Sequence, residues 1–265
     1  MDPQIGQILH PTYGWGMVLL SFLIACAGSL VALLCAQRMF RRDGTLDLAV
    51  TAGAAVALGG IGIWSMHFIG MVAYSLPVRI AYDIPLTAIS LLAAIGISGL
   101  ALYLAGSGRR QFNKLGWLAG SILAGLGVCV MHYMGMFAMN MRASMDFDPA
   151  IVALSVGIAV TAAAAALWLA FNLRRLSHQI AAAGVMGLAV CSMHYVGMAA
   201  ATMVCTAAAP ANDLAISGRL IGLVVFGVAG VVLIGIGWII SERSIDDARH
   251  TQDDTSTRVA RTRWA

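Results

Sequence analysis

Charge is scarce in this sequence. Asp, Glu, Lys and Arg make up 11% of its 265 residues, and hydrophobic residues make up 60%. A water-soluble domain carries about a quarter of its residues charged, so the soluble globular class is excluded. The mean hydropathy of +0.86 agrees. Cysteine is also sparse. Cys26, Cys35, Cys129 and Cys191 fall inside apolar runs and Cys205 stands near the end of one, with no CxxC spacing. That excludes a disulfide framework and a zinc ribbon. No phosphate loop, nucleophile triad or nucleic-acid-binding surface is readable. No basic residue precedes the first apolar run, which is too long for a leader core. It is expected to be a retained helix and not a cleaved signal.

What is present is apolar sequence in long blocks. Seven runs stand out, at about 14–37, 48–74, 84–105, 115–139, 150–171, 179–203 and 219–240. About 20 apolar residues span a bilayer as a helix, and continuous runs argue for helices over the alternating strands of a barrel. The fold class is therefore an all-α membrane protein with seven transmembrane helices. Residues 1–240 form one bundle domain, and the polar segment 241–265 is expected to be a disordered cytoplasmic tail. Thirteen of the sixteen Lys and Arg residues follow runs 1, 3, 5 and 7, while the opposite side carries only Arg79, Arg142 and Arg219. This asymmetry places the N-terminus outside and the C-terminus in the cytoplasm. The net charge of +4 is a topology signal, with anionic lipid as a partner for the basic tail.

The chain repeats itself. "MHFIGM" at 66–71, "MHYMGM" at 131–136 and "MHYVGM" at 193–198 share the pattern M-H-[FY]-x-G-M, with a glycine seven residues before each histidine at Gly60, Gly125 and Gly187. "YDIPLTAIS" at 82–90 and "FDPAIVALS" at 147–155 align, with a fainter copy in "YGWGMVLLS" at 13–21. The unit is a helix pair, 1+2, 3+4 and 5+6, with helix 7 left over. A two-helix period gives three parallel repeats related by an axis along the membrane normal, so all three motifs reach one leaflet. Each histidine stands roughly 8 to 10 residues before its run ends, on the order of 12–15 Å deep. Asp83 and Asp148, with Pro85 and Pro149 beside them, are expected to cap helices 3 and 5.

His67, His132 and His194 each share a helix face with the methionine four residues on, Met71, Met136 and Met198. The methionines one residue earlier, Met66, Met131 and Met193, point about 100° away. Glycine between each His and Met lets a neighbouring helix approach. Imidazole and thioether together form a soft, mostly neutral ligand set that suits copper, Cu(I) above all. Zinc wants thiolate or carboxylate support, which Asp83, Asp148, Cys129 or Cys191 would have to supply. Met as gap filler, Gly as packing and Tyr as an aromatic belt are the plainer readings. Against them, three polar side chains at one membrane depth are costly unless they serve a shared site. Met139, Met141, Met145 and Met203 add a thioether-rich zone near the same end.

"WSMHFIGM", "VMHYMGM" and "SMHYVGM", with seven runs, resemble the MHYT-domain family of bacterial membrane proteins. The resemblance implies a sensor module in the bacterial inner membrane, with a copper site near the periplasmic face that responds to oxygen, CO or NO. It implicates His67, His132 and His194, the motif methionines Met66, Met71, Met131, Met136, Met193 and Met198, and Tyr133 and Tyr195. The first motif departs from it by carrying Phe68 in place of tyrosine. Family members commonly continue into cyclic-di-GMP enzymes or other signalling domains. With only 241–265 after the last run, this sequence is expected to signal to a separate partner and not to be an enzyme itself. A copper transporter or chaperone, a membrane metalloenzyme and a haem protein are the competing readings. For transport, a second ligand set on the cytoplasmic side would have to come from Cys26, Cys35 and His178.

Overall fold

Polar side chains mark where the helices begin. The computed structural model of the chain describes residues 4–41, 43–107, 113–207 and 214–235. Seven helices are long and apolar enough to cross a membrane: α1 Trp15–Ala36, α2 Leu48–Ala73, α3 Ile84–Gly106, α4 Lys114–Phe137, α5 Pro149–Asn172, α6 Leu176–Ala199 and α7 Gly218–Gly235. Asp47 caps α2 by accepting from the amides of Ala49 and Val50. Asp83 caps α3 through Leu86, and Asp148 caps α5 through Ala150 and Ile151, each with proline in the first turn as the sequence predicts. Asn113 does the same for α4 through Gly116. The polar segment 241–265, Arg42, Arg109 and Arg110 lie outside the described residues.

Successive helices from α1 to α6 pack side by side, and α6 packs back on α1. The six form a closed ring. α7 stands outside it, with Gly222 against Val72 of α2 and with Ile221, Val225 and Ala229 buried in the same core. The middle of α2, Val56–Ser65, is wound as a π-helix. Ser65 Oγ donates to the carbonyl of Gly60 within that segment at 2.9 Å. This winding belongs to the first repeat alone.

The motif-bearing helices stop sooner than the apolar runs suggest. α2, α4 and α6 end at Ala73, Phe137 and Ala199, so the histidines lie five or six residues from the helix ends. That is about 8–9 Å of helix instead of 12–15 Å. Above them the chain forms short strands that the sequence did not reveal: β1 Ile8–Leu9, β2 Thr12–Tyr13, β3 Tyr74–Ser75, β4 Ala81–Asp83, β5 Met139–Asn140, β6 Ala143–Phe147, β7 Ala201–Cys205 and β8 Ala215–Ser217. They pair as β1-β7-β6, β2-β3 and β5-β4-β8. Leaving the helix frees carbonyls and amides that need partners, and strand pairing supplies them over the end of the bundle. We call this the capped end.

The repeat is also visible in the backbone bonds at that end. The amides of Gly14, Asp83 and Asp148 donate to the carbonyls of Ala73, Ala138 and Ala200 at 2.9, 2.8 and 2.9 Å. Each such bond ties the start of α1, α3 or α5 to the end of the next helix. The helix pairs 1+2, 3+4 and 5+6 therefore carry one equivalent tie each.

Candidate metal centre

Each motif helix contributes one imidazole, and the three meet on the axis of the ring. His67, His132 and His194 are each 1% exposed. Their Nδ1 atoms are 3.0 Å (His67–His194), 3.1 Å (His67–His132) and 3.3 Å (His132–His194) apart. The rings stand nearly perpendicular to one another, at 77–87°. On the far side of each ring, Nε2 lies against the glycine of another motif: His67 on Gly135, His132 on Gly197 and His194 on Gly70. A methyl group on any of these glycines would overlap the imidazole, so the cradle requires their missing side chains. No Nε2 meets a hydrogen-bond acceptor there.

Protons alone cannot satisfy this triangle. Each Nδ1 carries either a hydrogen or a lone pair in the ring plane. Around an odd number of mutual contacts, donors and acceptors cannot alternate, so at least one pair sets like against like. A cation at the centre accepts all three lone pairs at once. A triangle with these sides has its centre about 1.8 Å from each nitrogen, near the roughly 2.0–2.1 Å of a metal–imidazole bond. Among the described residues, these three are the one group of His, Cys, Asp or Glu close enough together to hold a metal ion. Cys129, Cys191, Asp83 and Asp148 do not join it, and the two aspartates are occupied as helix caps.

The methionines divide into two sets. Met71, Met136 and Met198, 0–1% exposed, belong to one buried cluster at the capped end together with Met131. Met66 instead packs with Ala25 and Cys191, and Met193 with Cys129 and Ala159, in separate clusters on the flanks of the motif helices. The Tyr133 and Tyr195 rings stand edge-on to the histidines before them, at centroid distances of 4.8 and 4.7 Å. Their hydroxyls point the other way, to Ser155 on α5 at 2.8 Å and to Ser21 on α1 at 3.0 Å. Burial raises the phenol pKa of Tyr13, Tyr74 and Tyr82 around the cap, so these groups stay neutral.

Sequence comparison missed one supporting contact. In the first repeat Phe68 has no hydroxyl to offer Ser90, the counterpart of Ser155 and Ser21. The indole of Trp64, one turn earlier, donates to Ser90 at 2.9 Å instead. All three serines are fully buried and donate their own protons three residues back, to Val18, Thr87 and Val152. Each is thus left as an acceptor that either a phenol or an indole can serve. The second and third repeats carry Cys129 and Cys191 at the position of Trp64. The signal lay in that paired departure, Trp for Cys and Phe for Tyr within one copy.

These contacts run α2–α3, α4–α5 and α6–α1, alternating with the backbone ties around the ring. Next to the triad, on the side away from the cap, lies an apolar cavity of about 60 Å³. Ile63, Val128, Val190 and Met193 line it near the histidines, and Leu33, Leu167 and Met186 line it further down.

The profile of the MHYT family, described as "Bacterial signalling protein N terminal repeat", matches three times, at residues 60–117, 125–183 and 187–244. Each match opens on one of the glycines seven residues before a triad histidine. The chain is 43% identical over 199 residues to the bifunctional diguanylate cyclase/cyclic di-GMP phosphodiesterase MucR of Pseudomonas aeruginosa, covering 73% of this chain and 29% of the relative. It is 36% identical over 217 residues to the cyclic di-GMP phosphodiesterase NbdA of the same organism, covering 79% and 27%. With the signaling protein YkoW of Bacillus subtilis it shares 33% over 203 residues, covering 73% and 25%. The chain thus spans less than a third of the length of these relatives. No solved structure matches it.

Proposed function

Because the chain belongs to the MHYT family, a family of bacterial signalling proteins that here takes the form of a multi-pass membrane bundle, we propose that it is a membrane sensor module. In this reading His67, His132 and His194 hold a copper ion, as Cu(I), and the state of that site is passed to a separate signalling partner. The observation that carries the reading is the odd ring of three Nδ1 atoms with no carboxylate in reach. A buried ion without a counter-charge is costly, and the cost grows with the square of its charge. A monovalent, soft ion on neutral nitrogen donors suffers least. When bound, the ion supplies a coordination centre for a small ligand. The protein's own residues hold the three imidazoles at contact, keep water out and bound the apolar cavity below. A dry cavity of that kind suits an uncharged diatomic such as oxygen, CO or NO.

The competing readings have less support. Three imidazoles in mutual contact leave no slot for a haem macrocycle. Water-dependent metalloenzyme chemistry would need solvent access, and the histidines are 1% exposed. A transporter would need a second ligand group towards the opposite end, and among the described residues no other group of three or more His, Cys, Asp or Glu lies close enough to hold an ion. The names of the relatives direct the proposed output towards cyclic di-GMP turnover. In the orientation set by the basic residues, the capped end faces the periplasm and the site lies on the outer side of the inner membrane.

Elemental analysis and an absorbance spectrum of detergent-purified protein test this. The expected result is about one copper per chain and no Soret band, with copper lost when all three histidines are changed to alanine. Copper content unchanged in that triple variant overturns the site, and zinc or haem in the wild type overturns the choice of ion.

A further inference from the structure

A buried triad needs a way to be filled. The three histidines are roofed by the strands of the cap, and no Asp, Glu, Lys or Arg is buried among the described residues. We propose that Met139, Met141, Met145 and Met203 form a thioether-lined approach by which a soft monovalent cation passes from the capped end to the triad. This rests on the reading that the triad holds such an ion.

Sulfur is distributed unevenly between the two ends. The buried cluster at the capped end contains seven methionines and Cys205, beside five isoleucines and one leucine, Leu9. The buried cluster at the opposite end contains two methionines and three leucines. If methionine were only filling space, leucine, which the chain uses freely elsewhere, would serve equally at both ends.

Position supports the same conclusion. Met71, Met136 and Met198 stand one helical turn beyond the histidines, about 6 Å along the axis towards the cap. Met139 and Met141 follow directly where α4 ends, 7% and 2% exposed, and Met203 on β7 is 1% exposed. Met145 on β6 is the register partner of Met203, and directly opposed residues hold their Cβ atoms about 4.5–5.5 Å apart. Met145 is half-buried, so the series runs from a partly exposed thioether at the rim to fully buried ones above the imidazoles.

Thioethers are neutral, weak and exchangeable donors that accept soft ions such as Cu(I) or Ag(I) and give little to Mg or Ca. A succession of them lets an ion step inward without any one site trapping it, and turns hard cations away. Met139 and Met145 have no counterparts in the other two repeats, Met141 has one in Met203, and the first repeat carries Leu76 there, so the approach is built from the second and third repeats and is open on that side of the pseudo-threefold site.

Silver is the probe, since Ag(I) shares the ligand preference and has no redox chemistry here. The test is stopped-flow loading of the metal-free, detergent-purified full chain, comparing wild type with Met139→Leu/Met141→Leu/Met145→Leu/Met203→Leu. Leucine keeps volume and apolarity and removes only the sulfur. The expected result is loading slowed about tenfold or more, with the final stoichiometry still one ion per chain. Loading at the wild-type rate overturns the proposal while leaving the triad reading intact. A wild type that takes up no silver overturns both. Should the fourfold variant not fold, X-ray absorption on the chain lacking all three histidines decides. Silver bound through sulfur upholds the approach, and silver bound through nitrogen or oxygen alone overturns it.

Discussion

His67, His132 and His194 are each held from two sides, by the other imidazoles and by a glycine from another motif. The glycine matters because an added Cβ at Gly135 falls on His67 Nε2. Gly135→Ala is therefore expected to cost about 1–3 kcal/mol by overpacking and to push His67 out of the triangle. The check is a lower midpoint of thermal unfolding together with copper content below half that of wild type. Gly157→Ala on α5, where a new methyl group meets nothing within 4 Å, is the control. It should match the wild type in metal content and be slightly more stable, since alanine favours helix over glycine by about 1 kcal/mol.

At the scale of the helices, two kinds of tie alternate around the ring: backbone bonds at the capped end and aromatic-to-serine bonds at the level of the triad. The Trp64–Ser90 bond is the one built differently, and it fixes α2 against α3. Trp64→Cys should lose about 3 kcal/mol or more, as large-to-small changes of a buried aromatic do. Trp64→Cys/Phe68→Tyr recreates the arrangement of the other two repeats and should recover at least about half of that loss. Denaturation midpoints of both variants, with their copper content, check this. A double variant no better than the single would mean that Trp64 contributes volume alone. The histidines and the helices were legible in the sequence because they recur at fixed spacing and run for twenty residues or more. The strands were not, because they are two to five residues long and carry no sustained alternation. Nor was Trp64, because matching repeats by identity passes over a position where a different group performs the same bond. The π-wound stretch of α2 is a third mark of the first repeat. The sequence directs attention to the methionine-rich second repeat, yet the first departs most in backbone and anchoring.

For the molecule as a whole, orientation decides which compartment the site addresses. Four of the five cysteines are 2–7% exposed, so new surface cysteines can be read against a low background. Ser144 in β6 is exposed at the capped end, and Ser107 is exposed at the other. Ser144→Cys is expected to react with a membrane-impermeant maleimide in intact cells, and Ser107→Cys only after permeabilisation. The reverse pattern would turn the bundle over and place the triad near the cytoplasm.

The ring is closed by its first and last members. Ser21 on α1 meets Tyr195 on α6, 174 positions later. At about 5–20 residues per second of synthesis, α1 waits roughly 10–35 s before its neighbour exists. Tyr195 arrives beside His194, so the helix that completes the ring also delivers the third imidazole. A chain interrupted before α6 offers only two of the three triad histidines and an open flank. On the proposed reading, an ion held by all three imidazoles would distinguish finished molecules from unfinished ones, and loading would certify assembly before it reported on the surroundings.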